Sequence, residues 1–439
     1  MRISNGKTKG RYIFDGLGLS FSRIALPVAV MVCFAALGSA QEITLRMSFW
    51  GDEEGLAAFQ ETVDEFEAVY PNIHIQLERP EPYLDAVTVM IATGTAPDLM
   101  MIAPQWFHAL AKGGAFLPLD SLIASDPDFG RELFIPQIWD LYQWDGVQYG
   151  VPPEWQIMSF WYNKDLFNER GLAAPDETWT WDTVREAARQ LTVRQGDGEA
   201  LQWGYGQSHW WGSWLLQVWS AGGDLFSDDG GSVALDSPEA MQAFQFYYDL
   251  MWQDETMPTP AEQSQAGGFG NAFMNGRLGM LLDGRWATRT FAASMKDRIA
   301  YDIAPMPRFG EQVNILHSNA LTISRDTQHP EEAYRFFTFF NTNERAQIAQ
   351  GRGGLVMPSY IPVLRDQNLW YNPSVHVSEW INVDAIAYSK VAPFRLGFEP
   401  IVGAFQQGLN KGINARELDL AIAAQEGVRA ANVKMAEFE

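Results

Sequence analysis

Glu42–Trp50, EITLRMSFW, reads as a β-strand, and the pattern that follows it sets the architecture. Leu56, Phe59, Val63, Phe66 and Tyr70 recur at steps of three and four, the spacing of an amphipathic helix, which Pro71 stops. Ile73, Ile75 and Leu77 alternate as a second strand. Leu84, Val87 and Ile91 mark a second helix ending by Gly94, and Leu99–Ile102 is an apolar third strand after Pro97-Asp98. Strand, helix, strand, helix, strand implies a largely parallel sheet covered on both faces. Ligands of such sheets sit beyond the carboxyl ends of the strands. That rule points to Trp50–Glu54 and to Ala103–Trp106.

Further along, the α/β character repeats. Ser237-Pro238-Glu239 is a helix start, with a capping serine and proline at the first helical position, ahead of Met241, Phe244, Tyr248 and Met251. A short helix runs from Gly270 to Asn275, a strand from Leu278 to Leu282, a helix from Pro330 through Phe340, and a last helix from about Glu417 to Met435. No repeat of 20 to 50 residues and no low-complexity linker interrupts the chain, so its lobes are interleaved rather than beaded.

The first forty residues read as an export signal. Lys7, Lys9, Arg11 and Arg23 precede an apolar run from Ile24 to Leu37, and Gly38-Ser39-Ala40 supplies small residues for cleavage after Ala40. The run is shorter than the roughly 20 residues of a membrane span. The single cysteine, Cys33, lies inside it and lacks the small residues that precede a lipid-modified cysteine, so no membrane anchor is expected. The formal charge is −23, and the signal is basic, so the remainder is more acidic still. Such a surface repels phosphate backbones and anionic lipid, which argues against nucleic-acid and membrane-surface roles. Nine of the 17 tryptophans fall between Trp155 and Trp219. Some must fill the core; the rest suit a pocket walled by indole rings, whose faces match those of pyranose sugars.

Several segments in order resemble the extracellular solute-binding proteins of sugar ABC transporters, the group that includes the maltose-binding protein. They are Pro97-Asp98-Leu99, Phe116–Asp120, Tyr149–Pro152, Tyr162–Phe167 with Thr178–Trp181 behind it, Phe273–Met280, Gly284-Arg285-Trp286, Ala304–Pro307, the helix at Pro330 and Val356–Ser359. The resemblance implies a two-lobed α/β fold, periplasmic binding protein type II, whose chain crosses a hinge three times, near Val151–Pro153, Ala304–Pro307 and Gly351–Met357. After the signal at 1–40, it puts 41–152 with 308–352 in an N-terminal lobe and 153–307 with 353–439 in a C-terminal lobe. It further implies a periplasmic, non-enzymatic protein that closes on a sugar, oligosaccharide or polyol and docks on membrane permease subunits.

Carried onto this sequence, the resemblance and the strand-end rule nominate a set of ligand contacts. Trp50, Asp52, Glu53 and Glu54 follow the first strand; the acids suit sugar hydroxyls, or alternatively cap the next helix. Gln105 and Trp106 follow the third strand, Trp106 otherwise belonging to an amphipathic helix. Trp155 and Gln156 lie at the first crossing, Trp155 being alternatively a buried filler. Trp210 and Trp211 precede a helix in which Trp214 and Trp219 look like core. Trp286 is the foremost candidate for a sugar platform, flanked by Asp283 and Arg285, which alternatively pair with each other. Gly353 and Gly354 let backbone approach a ligand or merely flex. Arg395 and Glu399 complete the set.

Other classes fit less well. A secreted glycoside hydrolase needs two facing carboxylates, and no compact acid pair is legible. His74, His108, His209, His317, His329 and His376 are scattered without metal-ligand spacing, and Tyr247-Tyr248 lies in a patterned helix, so neither metal nor cofactor is expected. A glycerophosphodiester would ask for clustered arginines, and a polyamine for acids without hydroxyl-directed donors.

Overall fold

The computed structural model describes residues 42–438 except 52, 197, 209 and 355, together with every described side chain but those of Glu54 and Ala58. The expected signal, Gln41, Asp52 and the side chain of Glu54 therefore lie outside the described residues.

The opening pattern folds as its spacing dictates. Strand β1 (Ile43–Ser48), helix α1 (Glu53–Val69), β2 (Ile73–Glu78), α2 (Tyr83–Ala92), β3 (Leu99–Ile102) and α3 (Pro104–Lys112) follow in order. β1 lies between β2 and β3 and is parallel to both. Every residue of β3 is buried, and successive side chains serve opposite faces. Leu99 and Met101 join a cluster with Phe66, Phe336, Phe337 and Phe340, and Met100 and Ile102 join one with Tyr83, Val87 and Phe107. The sheet is less parallel than its first half suggests. After a small hairpin, β4 (Gln143–Trp144) with β5 (Val147–Gln148), strand β6 (Gly150–Val151) enters it beside a later strand.

A second sheet is organised around β7 (Glu154–Asn163), ten residues that are all buried. Beyond it run β8 (Val193–Arg194), β9 (Ala200–Gln207), β10 (Leu278–Gly284), β11 (Tyr301–Ala304), β12 (Asn314–His317), β13 (Ala320–Ile323), β14 (Met357–Pro358) and β15 (Ser389–Lys390). The first sheet has the order β2-β1-β3-β13-β6; the eight-stranded second sheet has the path β15-β12-β7-β10-β9-β8, with β11 and β14 also pairing with β7. β13 is antiparallel to both β3 and β6. Trp161, Trp181, Trp219 and Tyr205 fill the core of the second sheet, which accounts for much of the tryptophan content.

The chain changes sheets between β6 and β7, at Pro152-Pro153, and again between β12 and β13, at Ser318-Asn319. The first lies where the sequence puts a crossing. The second does not: at Ala304–Pro307 the chain is still in the second sheet, because β11 and β12 both pair with β7. The Pro-rich segment there is a turn within the sheet.

Candidate functional site

Four strands, two from each sheet, are each followed within a few residues by an indole that lines one cavity. Trp50 follows β1, and Trp106 lies in the first turn of α3, after β3. Their rings meet edge to face at 5.2 Å. Tyr83 packs against Trp50 at 5.0 Å and donates from its hydroxyl to the Met101 carbonyl at 2.8 Å, tying the pair to the strand. From the second sheet, Trp210 follows β9 and Trp286 follows β10, and these rings also meet edge to face, at 5.3 Å and 89°. Both indoles fold back over a glycine. A Cβ on Gly212 would fall 2.1 Å from the Trp210 ring, and one on Gly284 the same distance from Trp286.

These four rings line a cavity of about 650 Å³. Phe49, Phe59, Gln105, Glu154, Gln156, Ser208, His317, Asn319 and Gln350 are among its other walls. Its polar groups are short of partners. Gln105 Oε1, Trp106 Nε1, Glu154 Oε2, His317 Nδ1 and Gln350 Nε2 are buried without a hydrogen bond. Buried polar atoms are normally satisfied, so five such atoms on residues lining one cavity set it apart from an ordinary apolar core. Glu154 Oε1, by contrast, accepts from the Asn319 backbone N–H at 2.6 Å and from its Nδ2 at 2.9 Å. Burial raises the Glu154 pKa to about 7 despite those two bonds. Burial likewise lowers His317 to about 4, so its imidazole is neutral at pH 7. Asp283, at the end of β10, is raised to about 6 by burial, with the Gly284 N–H, Ser208 and Trp286 offsetting part of the rise.

Of the residues nominated from the sequence, the structure gathers Trp50, Gln105, Trp106, Gln156, Trp210 and Trp286 around this cavity, with Asp283 just behind Ser208 and Trp286. Others it places elsewhere. Trp155 is fully buried with Nε1 donating to the Pro358 carbonyl at 3.1 Å, because strand alternation turns it away from the face shared by Glu154 and Gln156. Trp211 packs against Phe398 at 4.9 Å and Phe394 at 5.7 Å. Arg285 is fully buried: Nε donates to Glu379 Oε1 at 2.7 Å, a second nitrogen to the Gly354 carbonyl at 3.2 Å, and the third meets His376 Nε2 at 3.2 Å. It pairs with Glu379 rather than Asp283, and Gly354 serves that network. Gly353 is exposed after the helix Glu344–Arg352. Glu53 is exposed and paired with Arg79. Arg395 donates to the Gly230 carbonyl at 2.7 Å and lies over Phe226, beside a separate shallow depression; Glu399 is exposed in the first turn of the helix Phe398–Ile413.

Glu154, Ser208, His317, Asn319 and Gln350 line the cavity without having been nominated. Only Glu154 carried a usable signal, since residues 154 and 156 of one strand share a face. The others come from distant segments that the topology alone brings together. Among the described residues, no group of three His, Cys, Asp or Glu side chains is arranged to hold a metal, and no helix is long and apolar enough to cross a membrane.

Two mixed α/β sheets, with a partner-seeking aromatic cavity fed by residues of both, define a solute receptor. The signature of the bacterial extracellular solute-binding proteins matches residues 50–347, and the chain belongs to that family, whose members are carriers and not enzymes. The maltotriose-binding protein of Pyrococcus abyssi is 26% identical over 325 residues, covering 71% of this chain and 64% of that relative's length. In structure, the chain is similar to an ABC substrate-binding protein of Listeria monocytogenes in complex with cycloalternan, with a TM-score of 0.81, 23% identity, and coverage of 90% of this chain and 100% of that one. It is also similar to a Thermotoga lettingae solute-binding protein bound to α-D-tagatose, with a TM-score of 0.77, 22% identity, and coverage of 89% and 99%. The fold is thus that of type II periplasmic binding proteins.

Proposed function

We propose that the chain is the solute-binding component of a sugar ABC importer, taking a sugar, oligosaccharide or polyol into the cavity between the sheets and handing it to membrane permease subunits. The observation that carries this reading is the pair of indole pairs, one from each sheet, around a cavity whose buried polar atoms lack partners. Rings supply flat apolar contact to pyranose faces, while Gln105, Trp106, Glu154 and Gln350 offer acceptors and donors for hydroxyls. The sugars named for the Pyrococcus, Listeria and Thermotoga relatives support the same class. A phosphodiester is disfavoured, since no Lys or Arg is among the described residues that line the cavity.

The crossings at Pro152-Pro153 and Ser318-Asn319, with a third near Gly351–Met357, serve as the hinge. The first is bonded to the chain on either side of the third: the Pro153 carbonyl accepts from Gln347 Nε2 at 2.9 Å and from the Ser359 N–H at 3.3 Å. One lobe holds the first sheet and the other holds the second, and closure brings Trp50 and Trp106 toward Trp210 and Trp286. The mature protein begins at Gln41 in the periplasm.

Thermal-shift screening of the mature chain against sugars, polyols, glycerophosphodiesters and polyamines tests the ligand class; a tight ligand at 100 times its Kd adds about 2.7 kcal/mol. Small-angle scattering with a hit should show a smaller radius of gyration. Stabilisation by phosphodiesters or polyamines alone overturns the sugar reading, and an unchanged radius with ligand bound overturns closure.

A further inference from the structure

The charges around the cavity are one-sided. Glu154 is 3% exposed, lines the cavity, and has one carboxylate oxygen buried without a hydrogen-bond partner. Asp283 stands behind Ser208 and Trp286 as a second acid. Among the described residues that line the cavity there is neither lysine nor arginine. Arg285 exerts some pull on Glu154, but it is committed to Glu379 at 2.7 Å, and that buried pair is neutral as a unit. His317 is held neutral by burial. A carboxylate removed from water without a counter-ion is costly; the bonds from Asn319 and Gln156 relieve part of that cost, and protonation or the arrival of a cation relieves the rest.

The walls suit a cation as well. Four indoles in two edge-to-face pairs present ring faces and edges to the cavity. Aromatic walls around an acid are the chemistry that recognises ammonium groups, with the ring faces attracting positive charge and the carboxylate neutralising it. A neutral sugar would offer Glu154 hydroxyl donors but would not neutralise its charge; an acidic sugar would be repelled by it.

Resting on the sugar reading above, we propose that Glu154 is a specificity-determining residue and that the preferred ligand is a sugar or cyclitol carrying a protonated amine on its ring. The amine enters the field of Glu154 and Asp283, the rings of Trp50, Trp106, Trp210 and Trp286 hold the carbocycle or pyranose, and anionic sugars are excluded.

Calorimetry on the mature chain with matched pairs tests this: glucose against glucosamine, galactose against galactosamine, and cellobiose and cellotriose against the corresponding fully deacetylated chitosan oligomers. The expected result is that in the pairs that bind, the amine binds at least about tenfold more tightly, and that Glu154→Gln, which keeps the acceptor for Asn319, costs the amine member about tenfold more affinity than it costs the neutral member. Equal or tighter binding of the neutral member overturns the amine preference and leaves the sugar reading standing. An equal loss for both members in Glu154→Gln overturns the role of Glu154. If none of the pairs binds, the amine preference is overturned; the sugar reading falls with it only when the wider sugar screen is also silent.

Discussion

Replacing Arg285 by methionine separates a binding arginine from a structural one. The side chain is fully buried, and its three nitrogens reach Glu379, the Gly354 carbonyl and His376 within 3.2 Å. Methionine fills much of the volume but leaves the Glu379 carboxylate, also fully buried, without its cation. Breaking a buried pair by removing one partner typically costs about 3–5 kcal/mol, because an uncompensated charge remains. The folded-to-unfolded ratio should fall by roughly a hundred- to several-thousand-fold, since about 1.4 kcal/mol is tenfold. Adding Glu379→Gln removes the stranded charge and keeps an acceptor for Asn382 Nδ2, which donates to it at 3.2 Å, so the double variant should regain most of the loss. Urea unfolding of wild type, both single variants and the double variant measures this directly. If Arg285→Met stays within about 1 kcal/mol of wild type in stability while ligand affinity collapses, Arg285 is a ligand group and the structural role assigned to it is wrong.

Trp286 is 38% exposed, so Trp286→Ala should leave folding intact and weaken ligand binding by at least about 2 kcal/mol, roughly thirtyfold, in calorimetry. Gly284→Ala keeps the indole but puts a methyl 2.1 Å from it; it should weaken binding as well, and unchanged affinity in both variants would show that the ring is not a platform. For Glu154, burial raises the pKa from 4.5 to about 7 in the folded protein, so the folded state holds its proton more firmly than the unfolded one. Its effect is absent below about pH 4.5 and becomes destabilising as pH rises to about 7, by up to roughly 3 kcal/mol. Glu154→Gln should therefore gain stability relative to wild type, without ligand, between those limits; a difference independent of pH would contradict the buried ionisation.

Much of the first sheet was legible because its elements are local. The 3.6-residue spacing of Leu56, Phe59, Val63 and Phe66 and the alternation of Ile73, Ile75 and Leu77 each report a periodic structure facing one core. The strand-end rule reached Trp50, Gln105 and Trp106 for the same reason, and the family resemblance reached Trp210 and Trp286. The errors share a cause. Arg285 and Trp155 stand beside cavity residues in sequence, yet one step along a strand or turn reverses the direction of a side chain. Trp155 therefore joins the core, and Arg285 meets Glu379, 94 residues away.

By itself the sequence determined the alternation of strands and helices, the acidic balance, the surplus of indoles and the family. Only the tertiary structure decided that the sheets are joined at Ser318-Asn319, that four indoles meet as two pairs, and that Glu154, His317 and Gln350 surround the same cavity. Periodicity is a property of neighbours in the chain, whereas a cavity, a counter-ion and a desolvated carboxyl are properties of neighbours in space. For Glu154 those neighbours include Asn319, 165 residues away.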